Sequence, residues 1–414
     1  MVPFQSFLDY LISSNTRVLG SMMFHNSPGH VVFELDNFLR MRHLGELGAQ
    51  GNFLAVFAQS ELSIPTHIAN TCPGVFSPAS GLQILVDNEC YRHVLEIEAL
   101  YPELVVDVGL SHLKIALHDA QSRKAARLMR LAGWPKELIW VITNQQMAEL
   151  NRRYLRRQAE SHDYCPWATI PEPSPALQQL LGGNWDKLAL VHHKPVAYNN
   201  SGTVVESTAL HPTLAYLRDM GYTIVKIGTE EFPPEWSHYG VIPYAASGIM
   251  NYGHDLMLIK AAKFAMYHAS GASHVAELLG TPMVSYAGWH LNYPPLVANC
   301  VHLPTLMRRK SDRRILRFAE QIDCLENLPE FWEGGGFVKF PHADYEQVSP
   351  TADLILAAAQ ESIDLGANPV PHTPDQARFN SLSRHKYYTH TQSRICQKLL
   401  DKFPAALDSG FDAD

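Results

Sequence analysis

Apolar and polar positions change rhythm along the 414 residues in a way that separates strands from helices. "HVVFELDNFLRMRHLG" places apolar residues at 31, 32, 35, 38, 39 and 41, close to one helical stripe, and Gly45 is its predicted stop. "GNFLAVFAQ" and "ELVVDVG" are short apolar runs of the buried-strand kind. "DAQSRKAARLMRLAGWP" predicts a helix ending at Gly133-Trp134-Pro135, and "ELIWVIT" the strand after it. Strand and helix patterns that alternate in this way imply parallel βαβ units.

Residues 163–184, "DYCPWATIPEPSPALQQLLGGN", carry four prolines and a Gly-Gly pair, the composition of a linker, which we place at 166–184. The alternation then restarts. "KLALVHHKP", "YTIVKIGTEEF", "YGVIPYAAS", "KFAMYHAS" and "PMVSYAG" read as strands running into loops. "HPTLAYLRDMG", "HDLMLIKAA" and "SHVAELLG" read as the helices between them. The predicted organisation is an α/β domain over 1–165, a doubly wound, Rossmann-like α/β domain over 185–365, and a basic, aromatic helical extension with a loose tail over 366–414.

Composition narrows the classes. A chain of this length calls for two cores. An apolar content of 46% with 18% charged residues describes a globular protein, and the net charge of −8 argues against a general nucleic-acid binder. No apolar run approaches the ~20 residues that span a bilayer, which leaves room only for peripheral membrane contact. "MVPFQSFLDYLISSNTRVLG" has no basic leader and carries Asp9 in its apolar part, so it predicts a first helix and not a signal peptide. Six cysteines without CxxC spacing fit reduced thiols and a cytoplasmic location. The 21 histidines show no zinc-ligand spacing, and neither metal nor cofactor is expected.

In an open parallel sheet, ligands bind outside the carboxyl ends of the strands. That rule selects His193 and Lys194, Gly228 and Thr229, Ser247, and the small-residue turn Ser270-Gly271-Ala272-Ser273 with His274. The turn opens a helix, whose free N–H groups and positive dipole end favour an anion. Glu277 shares a helix face with Ser273 and could accept hydrogen bonds from a ribose or sugar hydroxyl, or be an exposed helix carboxylate. The simplest account of the turn itself is an N-cap at Ser273 with a turn glycine at 271. Glu230 and Glu231 could bind a ribose or base, but a charged pair after a strand is usually solvated. In the first half, Gly29 precedes a helix, and His30 and Glu34 at i, i+4 could form a base with its orienting carboxylate. Asp36 and Arg40, at the same spacing, predict a helix salt bridge.

"GHVVFELDNFLR", "LALVHHKPVAY", "HPTLAYLRDMGYTIVKIGTEEF", "ASGASHVAELLGTPMV", "CVHLPTLMRRKSDRRILRFAEQI" and "SRICQKLLDKFPAAL" follow one another in this order. Together they resemble a little-characterised bacterial family of GT-B glycosyltransferases of surface-polysaccharide clusters. The 264–286 region is more distantly similar to heptosyltransferases. The resemblance implies two Rossmann-like domains facing a cleft, with a nucleotide-sugar donor on the C-terminal one and the acceptor on the N-terminal one. It implies that the Gly29-His30 turn approaches the reacting sugar, that Lys194 stands where the family tends to have Arg, and that Ser270 to His274 holds the diphosphate. Lysine there replaces bidentate recognition with a point charge. "YNNSGTVVEST" lacks the charged residues expected at that loop.

The expected activity is metal-independent sugar transfer from a nucleotide sugar, as substrate and not cofactor, to a glycan, lipid-linked or protein hydroxyl acceptor. His30, with Glu34, is the expected base. Gly29, His193, Lys194, Gly228, Thr229, Ser247, Ser270, Gly271, Ser273, His274 and Glu277 form the expected donor site. Two other outcomes compete: a non-catalytic nucleotide-sugar-binding subunit, and a nucleotide-sugar 2-epimerase.

Overall fold

The computed structural model describes residues 2–20, 28–48, 51–60, 63–108, 153–154, 156–194, 205–268, 270–288, 291, 295, 297–326, 343–382 and 392–407. The chain divides into two compact units, Met1–Glu172 with Asn251–Met257, and Pro173–Met250 with Leu258–Asp414. The helix expected in "DAQSRKAARLMRLAGWP", the strand expected in "ELIWVIT" and most of "YNNSGTVVEST" lie outside the described residues.

The first unit runs α1 (Phe4–Ser13), β1 (Thr16–Leu19), α2 (Pro28–His43), β2 (Asn52–Phe57), α3 (Ile64–Thr71), β3 (Leu82–Val86), α4 (Asn88–Leu100) and β4 (Val105–Val106). Its four strands pair in parallel in the order β3-β2-β1-β4. Alternation along β2 explains the layering. Leu54 and Val56 pack with Val18 against Phe7 and Leu11 of α1 and Val94 and Ile97 of α4. Phe53, on the other side of the strand, meets Phe38 of α2 edge-on at 5.0 Å. Asp87 caps α4 by accepting from the backbone N–H groups of Glu89 and Cys90.

The predicted Asp36–Arg40 bridge forms at 2.8 Å, but in the core and not on the surface. Asp36 also accepts from Tyr154 Oη at 2.8 Å and Trp167 Nε1 at 2.9 Å, so its carboxylate is saturated and structural.

In the second unit the elements are α5 (Pro175–Leu180), β5 (Leu188–His192), α6 (His211–Asp219), β6 (Thr223–Lys226), β7 (Ile242–Pro243), α7 (Tyr252–Ala261, across the division at Met257), β8 (Phe264–His268), α8 (Gly271–Leu279), β9 (Met283–Tyr286) and β10 (Cys300–Leu303). Then come β11 (Leu306–Arg309), α9 (Phe318–Glu326), β12 (Tyr345–Val348), α10 (Ala352–Ala367), α11 (Pro374–Leu382), β13 (Arg394–Ile395) and α12 (Gln397–Lys402). Seven parallel strands pair in the order β13-β10-β9-β8-β5-β6-β7, while β11 and β12 form a separate antiparallel hairpin. Counted from β5 this is the doubly wound order, and its direction reverses between β5 and β8.

One sheet face, with Ala189, Val191, Ile224, Phe264, Met266 and Val284, packs against Leu214 and Leu217 of α6 and Leu354, Ile355 and Ala358 of α10. The alternate residues Leu188, Leu190, Val225, Ala265 and Met283 are equally buried, which is why these strands read as unbroken apolar runs.

Three details differ from the sequence reading. The strand expected in "YGVIPYAAS" shrinks to Ile242–Pro243, followed by a 3-10 turn over Tyr244–Ser247, because Pro243 offers no N–H to a ladder and confines β7 to the edge. The helix after β8 begins at Gly271, with Ser270 and not Ser273 at the N-cap. Part of the stretch after residue 365 belongs to the sheet, since Arg394 and Ile395 pair with Val301 and His302.

Candidate nucleotide-sugar site

The reversal point of the second sheet brings the ends of β5 and β8 side by side. Register aligns His192 with Tyr267, and His268 with Tyr286 of β9. Because side chains alternate across a pleat, residues near the strand ends sort into two groups. His193, His268 and Tyr286 cluster on one side, with ring centroids of His193 and His268 5.9 Å apart and those of His268 and Tyr286 5.2 Å apart. Trp236 closes this group 5.6 Å from His193. His192 and Tyr267 form the other, at 6.1 Å.

The hydrogen bonds assign the protons. Tyr286 Oη donates to the His192 carbonyl at 3.2 Å, which leaves its oxygen to accept from His193 Nδ1 at 3.0 Å. The Lys194 backbone N–H donates to His268 Nδ1 at 3.4 Å. The neutral His268 ring therefore carries its proton on Nε2, an atom that is buried and has no partner among the described residues. Burial, reinforced by neighbouring His192 and Lys226, lowers the His193 pKa to about 4. Burial, with His193 and His192 adding to it, lowers that of His268 to about 3. Both imidazoles are uncharged near neutrality and act as dipolar groups.

Two residues after His268, Ser270 occupies the N-cap of α8 in extended conformation and makes no side-chain cap. Its Oγ is a second buried atom without a partner among the described residues. The first turn of α8 holds no acidic residue, so nothing in the helix neutralises its positive end. Ser273 is buried, and its Oγ donates back to the Ser270 carbonyl at 2.6 Å. Ser273 thus braces the turn from within the helix. Gly271 opens the helix.

Glu277 is not the exposed carboxylate that helix position alone would allow: its side chain is 1% exposed and meets His274 Nδ1 at 3.2 Å, while the His274 ring is about half exposed. Lys194 lies partly buried beside this turn, and burial pushes its pKa down against the opposing charge of Glu230. Ala287, directly after β9, holds φ 61, an unusual conformation for a residue with a Cβ, and it lies on the same sheet edge.

On the next strand, Glu230 corrects its expected solvation. Its side chain is 9% exposed and pairs with His192 Nε2 at 3.2 Å, while Glu231 is exposed. Lys226, 2% exposed, donates to the Glu230 carbonyl at 2.7 Å and lies 4.0 Å from its carboxylate. Burial works to raise the Glu230 pKa, but the His192 bond and charge and the Lys226 ammonium hold it at about 2. This knot folds the β6 loop tightly. Gly228, at φ 90, has no room for a Cβ, which would press on Glu230 Oε2 and come within 2.7 Å of His192. Thr229 is exposed at the tip of this loop.

Ser247 lies one strand further out, after β7. Its Oγ donates to the Tyr244 carbonyl at 2.6 Å, which makes it a turn residue. In the first unit, Gly29 is buried in the first turn of α2, and Glu34, one turn beyond His30, is 1% exposed. The His30 side chain lies outside the described residues.

The structure therefore gathers His193, Lys194, Ser270, Gly271 and Ser273 at one point and sets Gly228 and Thr229 beside them. The sequence reading passed over His268 and Tyr286, and took Glu230 for a solvated carboxylate. Applying the carboxyl-end rule to the last residue of each strand, as well as to the loop after it, selects the first two. Among the described residues no group of three or more His, Cys, Asp or Glu side chains is arranged to hold a metal ion.

No protein-family model matches the chain. No curated protein matches it. Among solved structures it is similar to a family 9 glycosyltransferase from Veillonella parvula, at 13% identity and a TM-score of 0.42, covering 84% of this chain and 97% of that one. It is also similar to the Escherichia coli heptosyltransferase WaaC with ADP-2-deoxy-2-fluoro heptose, at 14% identity and a TM-score of 0.36, covering 72% and 94%. A third is the Escherichia coli ADP-heptose lipopolysaccharide heptosyltransferase II, at 16% identity and a TM-score of 0.37, covering 70% and 89%.

Proposed function

We propose that this protein is a glycosyltransferase that moves a sugar from a nucleotide-sugar donor to a hydroxyl acceptor, in surface-glycan synthesis, and that the donor diphosphate sits on the turn between β8 and α8. One observation carries the reading. At the point where the sheet order reverses, His268 Nε2 and Ser270 Oγ are buried polar atoms without partners among the described residues, two residues apart, at the free N-terminus of α8. Buried polar groups are nearly always paired, so two orphans on one helix mouth call for a ligand that accepts hydrogen bonds. A diphosphate does so, and Lys194 adds a positive charge.

In the transfer, the acceptor oxygen bonds to the anomeric carbon as its proton passes to a base, and the bond from that carbon to the donor phosphate breaks. The leaving diphosphate keeps the electron pair. The α8 N–H groups, Ser270 Oγ, the His268 Nε2–H and Lys194 stabilise that growing charge. Because both histidines are neutral, the site stabilises by directed dipoles and a single ammonium. His30 is the proposed base. Glu34, buried at 1% exposure, is assigned the orienting role and not direct contact with the acceptor. No metal is assigned a role.

The test is a thermal-shift screen of ADP, UDP, GDP, CDP and their sugars. A ligand at 100 times its Kd stabilises by about 2.7 kcal/mol, so at least one should raise the melting temperature. Ser270→Ala and Lys194→Met should each weaken that ligand about tenfold or more without lowering the melting temperature of the free protein. No stabilisation by any nucleotide would overturn the reading. Transfer that survives both His30→Ala and Glu34→Ala would remove the base assignment alone.

A further inference from the structure

The second unit also holds a cavity of about 880 Å³ between the end of α10, the loop that follows it, β13 and α12. Its volume lies in the range of small-molecule sites. β13 is separated from β8 by β9 and β10, so the cavity lies about 14 Å from the donor turn along the sheet at the usual strand spacing.

Arg394 lines this cavity and is 7% exposed. Among the described residues its guanidinium makes one hydrogen bond, from Nη2 to the Val370 carbonyl at 2.7 Å. Nε is buried with no partner among them, and no described carboxylate forms an ion pair with the group. Glu361 is the neighbouring acid, but its oxygens are already engaged by Gln376 Nε2 at 2.7 Å and the Gln397 backbone N–H at 2.9 Å. A buried cation ordinarily has a counter-charge with good geometry. Among the described residues Arg394 has no carboxylate at ion-pair distance, Glu361 acting on it only through space, and its planar fork suits a carboxylate or phosphate. Lys398, half exposed, stands at the rim, with its ammonium 3.9 Å from Asp353. Asp364 and Asp401 supply acceptors of the kind that bind hydroxyls.

We propose that this cavity binds a small hydroxyl-bearing anion, a sugar carrying a phosphate or carboxylate group, with the anionic group on Arg394 and the hydroxyls on the acidic wall. The proposal is independent of the donor site, and its failure would leave that reading untouched.

Isothermal titration of the full chain with glucose 6-phosphate, glucuronate, glucose and inorganic phosphate tests it. One or both sugar anions should bind at one site per chain, the phosphate and carboxylate arms deciding which head group is preferred. Glucose should bind at least tenfold more weakly, and so should inorganic phosphate. Arg394→Gln should weaken the sugar anion at least tenfold, and Lys194→Met should leave it unchanged. Because Arg394→Gln removes a buried charge and could unfold the unit, Val370→Trp provides the second variant: Val370 is 55% exposed and lines the cavity, and its carbonyl accepts from Arg394, so an indole there obstructs the space in front of the guanidinium. It should abolish binding. Failure of both sugar anions to bind the wild type at millimolar concentration overturns the proposal. So does wild-type affinity in Arg394→Gln or Val370→Trp, equal binding of glucose or of inorganic phosphate, or loss of binding in Lys194→Met.

Discussion

Replacing Glu230 with Gln keeps the shape of the β6 loop and removes one charge. The carboxylate faces His192 Nε2 at 3.2 Å and the Lys226 ammonium at 4.0 Å, with both partners almost fully buried. In Glu230→Gln the Lys226 ammonium keeps its bonds to the Glu230 and Gly228 carbonyls but loses its counter-charge. Removing one partner of a buried pair costs about 3–5 kcal/mol. A second route gives a similar size, since holding the carboxyl at about 2 instead of the ordinary 4.5 corresponds to about 3 kcal/mol. The expected loss is therefore about 3 kcal/mol at pH 7, or a fall in melting temperature of roughly 6–12 °C.

The sign with pH follows from linkage. The folded value lies below the unfolded one, so the contribution is complete above pH 4.5 and is lost as pH falls from 4.5 towards 2. Urea denaturation followed by fluorescence at pH 7, 5 and 3.5 measures the gap between wild type and variant. It should be constant at the first two pH values and smaller at the third. Lys226→Met combined with Glu230→Gln should lose no more than the single variant, because the stranded charge is gone. A gap under about 1 kcal/mol at pH 7, or one that does not narrow at pH 3.5, would refute the buried-pair account.

Gly228→Ala should cost about 2 kcal/mol or more, from a strained positive φ and from the pressure of the new Cβ on Glu230 and His192. Denaturation measures that loss, and the thermal-shift screen should show weakened nucleotide binding alongside it. His193 and His268 titrate in the folded chain at about 4 and about 3, below the ordinary 6.5, so their burial leaves stability flat above pH 6.5 and erodes it as pH falls below that value. Each contributes up to about 1.4 kcal/mol per pH unit, and His268→Asn should flatten the slope measured between pH 6.5 and 5. In the first unit, Asp36→Asn leaves Arg40 buried beside a neutral amide and should cost about 3–5 kcal/mol, read as a lower urea midpoint with unchanged nucleotide binding by the second unit.

The strands that build the candidate site were legible because they are parallel and buried on both faces. Such strands appear as short apolar runs, and the polar residue that breaks each run marks the carboxyl edge: His193-Lys194, Gly228-Thr229, Ser270. Leu82–Val86 and Cys300–Leu303 went unassigned although turn and cap residues bound both: Ser77-Pro78 with Gly81 and Asp87 for the first, Asn299 and Pro304 for the second. β13 is two residues long and exists because β10 offers it an edge. The cap of α8 moved from Ser273 to Ser270 because Ser273 is drawn into the core. Helix periodicity could not distinguish the two serines, and it could not tell that Glu277 is covered while His274 reaches solvent.

The order of apolar and polar residues by itself determined that this chain forms α/β units with parallel strands, and which loops leave the carboxyl ends. Periodicity encodes which side of an element is buried, and that much is local. The tertiary structure alone decided where the sheet order reverses, and hence which loops meet. It also decided the charge states of the site. His192 and Glu230 are 38 positions apart in sequence and reach 3.2 Å through the β5–β6 register, while depth in the sheet keeps His193 and His268 neutral. Charge depends on distance and desolvation, both of which packing sets and neither of which a run of letters contains.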